Sequence, residues 1–147
     1  MMKRSVKASI DILAPPETVW DVLMDFSSYP MWSSYLITIE GIAVPGSRLQ
    51  IVQKSADGNL RVCSPEVLQV TPPTAFRWLE QTLVPGLFDR EHGFMLEYLF
   101  GGHTRIRQSE EIGGTFAFLL QRWFFLPSES DFAEFNRALK MRAETRR

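Results

Sequence analysis

The sequence predicts an α+β domain: one strand, two short helices, six more strands and a long C-terminal helix, making a seven-stranded antiparallel sheet with that helix packed across one face. Three observations carry this. Residues 37–112 are a series of β-rich runs divided by turn residues, the spacing becomes helical after Gly113-Gly114, and neither a βαβ series nor an internal repeat occurs. With 147 residues, 45% hydrophobic and 12% aromatic, the chain holds one substantial core and is too short for two ordinary domains, so 1–147 is read as one.

In residues 5–13, Val6, Ala8, Ile10 and Ile12 alternate with Ser5, Lys7, Ser9 and Asp11, the pattern of a half-buried strand. Pro15 and Pro16 end it and open a helix over 16–25, with Glu17 at its positive end and Val19, Trp20, Leu23 and Phe26 at helical spacing. Ser27-Ser28 can cap a second short helix carrying Tyr29, Trp32 and Tyr35. Strands are then expected near 37–44, 47–54, 60–71, 75–84, 93–100 and 104–112, separated by Pro45-Gly46, Asp57-Gly58, Thr71-Pro72-Pro73 and Gly101-Gly102. Phe116, Leu119, Leu120 and Trp123 share a helical face. Pro127 breaks or kinks that helix, and Phe132, Phe135 and Leu139 continue it beyond a cap at Ser128 or Ser130.

Composition narrows the function classes. Sixteen Lys and Arg against seventeen Asp and Glu leave a formal charge of -1, so there is no net basic field for nucleic acid. Cys63 is the single cysteine, which excludes an internal disulfide and a multi-cysteine zinc site, and it reads as strand packing. Met1-Met2-Lys3-Arg4 runs straight into the first strand without a signal-type or membrane-spanning apolar stretch, so a cytoplasmic protein without stable membrane insertion is expected. No histidine pair at metal-ligand spacing and no nucleophile elbow is present, so no metal, cofactor or catalytic residue is assigned.

Several stretches resemble the START, polyketide cyclase and pollen-allergen superfamily: Ser9-Ile10-Asp11-Ile12, Ala14-Pro15-Pro16-Glu17, Val19-Trp20, Val22-Leu23, Asp25-Phe26, Tyr29-Pro30 and Trp32 look like its N-terminal signature. Pro85-Gly86-Leu87-Phe88-Asp89, Glu91-His92, Phe94, Leu96-Glu97 and Gly102 to Glu110 look like the late strands of its bacterial polyketide-cyclase-like branch. The resemblance implies a helix-grip fold, in which a curved sheet wraps the C-terminal helix and leaves an internal cavity for lipids, polyketides or other apolar molecules. Where many relatives carry Asn-Pro after the tryptophan, this chain has Ser33-Ser34.

Parity around Gly101-Gly102 selects the residues that face such a cavity. A three-residue turn at Gly101-Gly102-His103 pairs Glu97 with Arg107 on one face. On the other it sets Phe94, Leu96 and Tyr98 opposite Glu110, Gln108 and Ile106. A two-residue turn would bring Arg105 and Arg107 onto the apolar face, so the three-residue turn is expected. The neighbouring strand adds Phe76, Trp78 and Glu80, and Trp32, Leu119 and Trp123 complete the candidate lining. Glu80 and Glu110 either orient a ligand's polar group or reach the sheet's rim, and Tyr98 and Gln108 either meet a ligand or satisfy each other. His92 reads as a structural residue or an anchor for the 86–89 loop, and His103 as a solvated turn residue.

Phe118 and Phe125 fall on the helix face opposite Leu119 and Trp123, where the 85–92 loop, a second subunit in a homodimer or a membrane surface could cover them. Three functions follow: binding or carriage of a hydrophobic or amphipathic small molecule, polyketide cyclase or dehydratase chemistry through Tyr98, Glu110 or Glu80, and a protein-interaction module with a filled cavity. The first is favoured because no catalytic constellation stands out.

Overall fold

In the computed structural model, which describes residues 4–55, 57–82, 84–115 and 127–146, the alternating first segment is strand β1 (Arg4–Ile12). Pro16 opens helix α1 (Pro16–Met24), a 3-10 turn covers Phe26–Ser28, and helix α2 (Tyr29–Trp32) follows at once. Ser28 does not cap α2: its hydroxyl donates to the Asp25 carbonyl at 2.8 Å and accepts from Trp32 Nε1–H at 3.0 Å, tying the two helical pieces together.

Seven further strands follow, β2 (Leu36–Glu40), β3 (Gln50–Lys54), β4 (Leu60–Cys63), β5 (Glu66–Thr71), β6 (Ala75–Thr82), β7 (Phe88–Leu99) and β8 (His103–Gly113), before helix α3 (Glu129–Arg146). They form two antiparallel sheets, a five-stranded one in the order β1-β8-β7-β6-β5 and a three-stranded one in the order β2-β3-β4. The expected single seven-stranded sheet is thus corrected to eight strands in two sheets. The expected 60–71 strand breaks at Ser64-Pro65, because proline has no N–H for the ladder and restricts the residue before it. Residues 46–49 knit the sheets together instead, with Leu49 N–H donating to Pro65 O at 3.0 Å and Val67 N–H to Ser47 O at 2.8 Å.

The β7–β8 hairpin keeps the expected parity but not the expected pairing. Its three-residue loop is Phe100-Gly101-Gly102, with both glycines at positive φ (92° and 82°), so Leu99 pairs with His103. The shift slides the register by two residues: Phe94 lies opposite Gln108, Leu96 opposite Ile106, and His92 opposite Glu110. A slide of two leaves every side chain on its face. The Glu97–Arg107 pair survives as a diagonal contact at 2.7 Å, although Glu97 now pairs through its backbone with Arg105.

Helix α3 starts with a reciprocal cap in which Asp131 N–H donates to Ser128 Oγ at 3.2 Å and Ser128 N–H donates to Asp131 Oδ2 at 2.9 Å. Its buried face carries Phe132, Phe135, Asn136, Leu139 and Ala143 and packs on the five-stranded sheet, while Lys140 Nζ reaches the Asp11 carbonyl at 3.0 Å. The core lies between this face, α1 and the inner faces of both sheets. Leu119, Trp123, Phe118 and Phe125 lie outside the described residues.

Candidate functional site

Even-numbered residues of β7 point inward, and this includes three that the sequence reading left out of the lining, Phe88, Arg90 and His92. Phe88, Arg90, His92, Phe94 and Leu96 are buried, alternating with the more exposed Asp89, Glu91, Met95 and Glu97; Gly93 alone of the odd positions is buried. The segment expected to be a loop over 85–92 is therefore strand from Phe88 onward, and His92 is a buried interior residue of the sheet. Successive rows across the sheet bring Glu80 opposite Arg90, then Trp78 opposite His92 and His92 opposite Glu110, then Phe76 opposite Phe94 and Phe94 opposite Gln108.

Arg90, 2% exposed, is the hub of the polar part. Its Nη2 and Nε donate to Glu110 Oε2 at 3.1 and 3.2 Å, and its Nη1 lies 3.7 Å from Glu80 Oε1. Arg61, on β4, meets the other oxygen of Glu80 and so joins the two sheets by an ion pair. Glu110 Oε1 is 3.1 Å from His92 Nδ1, and His92 Nε2 is 2.9 Å from Gln108 Nε2. Because a carboxylate only accepts, His92 carries its hydrogen on Nδ1 and accepts from the Gln108 amide at Nε2. Each of these buried groups meets a partner, as charges in an apolar interior require.

Rings enclose this network. Trp78 stacks on His92 with centroids 4.6 Å apart and planes 9° from parallel, Phe132 stands edge-on to the same imidazole at 5.2 Å, and Phe94 leans on it at 4.9 Å. Tyr35 packs against Phe132 at 5.8 Å and lines a surface cleft of about 300 Å³ together with Ser34, Lys54, Ser130, Asp131 and Glu134. A roomier hollow of about 530 Å³ lies on the outer face of the sheet beside Lys7, Met95 and Arg107. With Met95 47% exposed and the Arg107 side chain 52% exposed, that hollow lacks the enclosure a small molecule needs.

The electrostatics follow from this packing. Burial pushes the Glu110 carboxyl up, but the Arg90 charge and the His92 hydrogen bond together outweigh it and hold Glu110 below its ordinary value of 4.5. For Arg90, burial works against the charge, and Glu110 and Glu80 more than restore it. Burial, reinforced by Glu110, raises the Tyr35 hydroxyl well above its ordinary range, and burial pushes the Cys63 thiol up to about 11. Cys63 is accordingly a thiol at neutral pH, not a nucleophile.

A pH dependence follows. Since the folded-state pKa of Glu110 is depressed, its contribution to stability is fully present above the unfolded-state value and is lost as pH falls through the folded-state value. The urea midpoint is expected to hold from neutrality to about pH 5 and decline below it. In Glu110→Gln the midpoint starts lower and the acid limb is shallower. Parallel acid limbs in the two proteins would count against this assignment.

Of the residues expected to line a cavity, Phe76, Trp78, Phe94, Leu96, Ile106, Gln108 and Glu110 are buried on the inner face, Glu80 and Trp32 are half-buried, and Tyr98 is not enclosed. Tyr98 has the inward parity but stands opposite Thr104 at the end of the hairpin and is 65% exposed, so it is corrected to a surface residue. Leu119 and Trp123 fall outside the described residues. Among the described residues no cluster of His, Cys, Asp and Glu has the arrangement of a metal site, and no helix is long and apolar enough to cross a membrane.

The structure is similar to several solved ones at low sequence identity. The Zhui aromatase/cyclase from a Streptomyces species matches with a TM-score of 0.75 and 14% identity, over 99% of this chain and 96% of that one. Protein MLL2253 from Mesorhizobium loti matches with a TM-score of 0.69 and 23% identity, over 97% and 98%. The di-domain aromatase/cyclase StfQ of the steffimycin biosynthetic pathway matches with a TM-score of 0.72 and 10% identity; it covers 99% of this chain, which spans only 52% of StfQ. No curated protein matches by sequence. These likenesses establish the fold, and the family is established by the sequence itself. Residues 3–144 match the family described as polyketide cyclase / dehydrase and lipid transport, and the chain belongs to that family.

Proposed function

We propose that the chain binds a hydrophobic or amphipathic small molecule between its sheets and α3, with the buried Arg90, Glu110, His92 and Gln108 network as the polar end of an otherwise aromatic site. The observation that carries this reading is the network itself. A purely structural core of this size is served by apolar packing, whereas four hydrogen-bonding side chains sealed among Trp78, Phe94 and Phe132 are suited to fixing the orientation of a guest. The surface cleft that Tyr35 lines is the entrance we propose, because the Tyr35 ring packs on Phe132, which covers His92.

A cyclase or dehydratase reading draws support from the His92–Glu110 pair, a histidine oriented by a carboxylate as a general base requires. The pairing of His92 Nε2 with Gln108 argues against it, because both ring nitrogens are engaged and neither is free to take a proton from a guest. Binding without turnover is therefore the better reading. The interaction-module reading takes a cavity filled by the chain's own side chains with Phe118 and Phe125 as its contact, the homodimer takes the same two residues, and both residues lie outside the described ones.

Native mass spectrometry of freshly purified protein, beside a denatured and solvent-extracted sample, tests the proposal. A retained species of defined mass that appears in the extract is the expected result. A clean apo mass, together with no uptake of fluorescent apolar probes, would overturn it.

A further inference from the structure

Gln108 Oε1 and both amide atoms of Asn136 have no hydrogen-bond partner among the described residues. The two side chains are 0% and 1% exposed, so bulk water does not satisfy them. Ring contacts and strand register put the two positions in neighbouring rows of the interface between α3 and the sheet. Phe132 stands over His92 and Lys140 reaches Asp11, so α3 runs along the sheet from the Glu110 end toward the Arg105 end, and Asn136 falls between. Its neighbour Phe135 packs on Phe94 at 5.8 Å, and Phe94 lies directly opposite Gln108.

The chemistry these atoms ask for can be read from their surroundings. With its Nε2–H donated to His92, Gln108 has a free carbonyl, which needs a donor; Asn136 offers N–H groups, which need an acceptor. Charge is already balanced around them, since Arg61 and Arg90 face Glu80 and Glu110. An ionised guest would arrive without a countercharge in a place where an unpaired charge is heavily penalised.

We propose that Gln108 and Asn136 select an uncharged, hydroxyl-bearing apolar molecule, whose O–H donates to Gln108 Oε1 and whose oxygen accepts from Asn136 Nδ2–H. This rests on the binding reading above and specifies its ligand class. Because these buried amide atoms have no partner among the described residues, a guest that supplies both a donor and an acceptor gains over a hydrocarbon of the same shape. A carboxylate can accept from Asn136 Nδ2–H, but it sets an acceptor against the Gln108 carbonyl and adds a second negative charge near Glu110.

Calorimetric titration at pH 7 with 2-naphthol, naphthalene and 2-naphthoate separates the cases, as the three share one ring skeleton. The expected order places 2-naphthol about tenfold or more tighter than either of the others, equivalent to about 1.4 kcal/mol. In Asn136→Leu, which replaces an unsatisfied amide by an apolar side chain with the same heavy-atom count and branching, that preference falls toward unity while naphthalene binding is kept. Equal affinities for 2-naphthol and naphthalene in the native protein would leave the amides a structural feature and overturn the inference alone. Tightest binding of 2-naphthoate would overturn the charge argument and the inference with it. Binding of none of the three would withdraw the reading of the interior as a binding site, on which the inference depends.

Discussion

Arg90→Met is expected to lower folding stability by about 3–5 kcal/mol, because it removes one partner of a buried ion pair and leaves the other uncompensated. The loss falls mainly on Glu110, 2% exposed, whose Oε2 accepts both Arg90 contacts, while Glu80 keeps Arg61. Among the described residues Glu110 then keeps the His92 Nδ1–H, a neutral donor, among the rings of Trp78 and Phe94. Replacing both residues, Arg90→Met with Glu110→Met, is expected to recover a large part of the loss, since two apolar side chains of similar length make no electrostatic demand. Urea unfolding of the native protein, both single variants and the double variant closes the cycle. A single-variant loss below about 1 kcal/mol, the range of an exposed pair, would show that the network is more hydrated than its burial indicates.

Phe94→Ala is the second large effect, at about 3–5 kcal/mol. Phe94 is fully buried and touches four rings: Phe76 at 6.2 Å, Trp78 at 5.8 Å, His92 at 4.9 Å and Phe135 at 5.8 Å. Neighbouring strands and α3 hold those rings from three sides, so collapse into the hole is limited and the cavity term stays high. Phe94→Leu keeps most of the volume and is expected to lose much less. Benzene added to Phe94→Ala should raise its thermal midpoint, as an apolar hole left dry takes up a matching guest. If the alanine variant loses less than about 2 kcal/mol and ignores benzene, the interior is soft enough to close around the deletion.

The same strand shows how far the site was legible in the sequence. Alternation with period two placed Phe94, Leu96, Ile106, Gln108 and Glu110 on one face, and a register two residues away from the expected one left them there. Arg90 and His92 share that parity with Phe94, yet charged and polar side chains next to Pro85-Gly86 read as loop, so the strand was expected to begin five residues late. A signal was present: two carboxylates expected on an apolar face require a cation, and Arg90 is the inward-parity cation on the strand between them. Tyr98 failed for the opposite reason. Its parity is right, but parity does not say where the covering helix stops. The strand break was also written in the sequence, at Pro65, within a run whose hydrophobic pattern continues on either side.

The contact between Arg61 and Glu80 has a consequence for how this protein can vary over time. The two residues sit on different sheets, at the seam that Pro65 opens in the ladder, and there a charge pair binds what backbone hydrogen bonds cannot. A lineage that loses Glu80 first passes through a form in which Arg61 and Arg90 face each other without the carboxylate between them, whereas loss of Arg61 leaves Glu80 with Arg90. The order of replacement at this seam is thereby expected to run from the arginine to the glutamate.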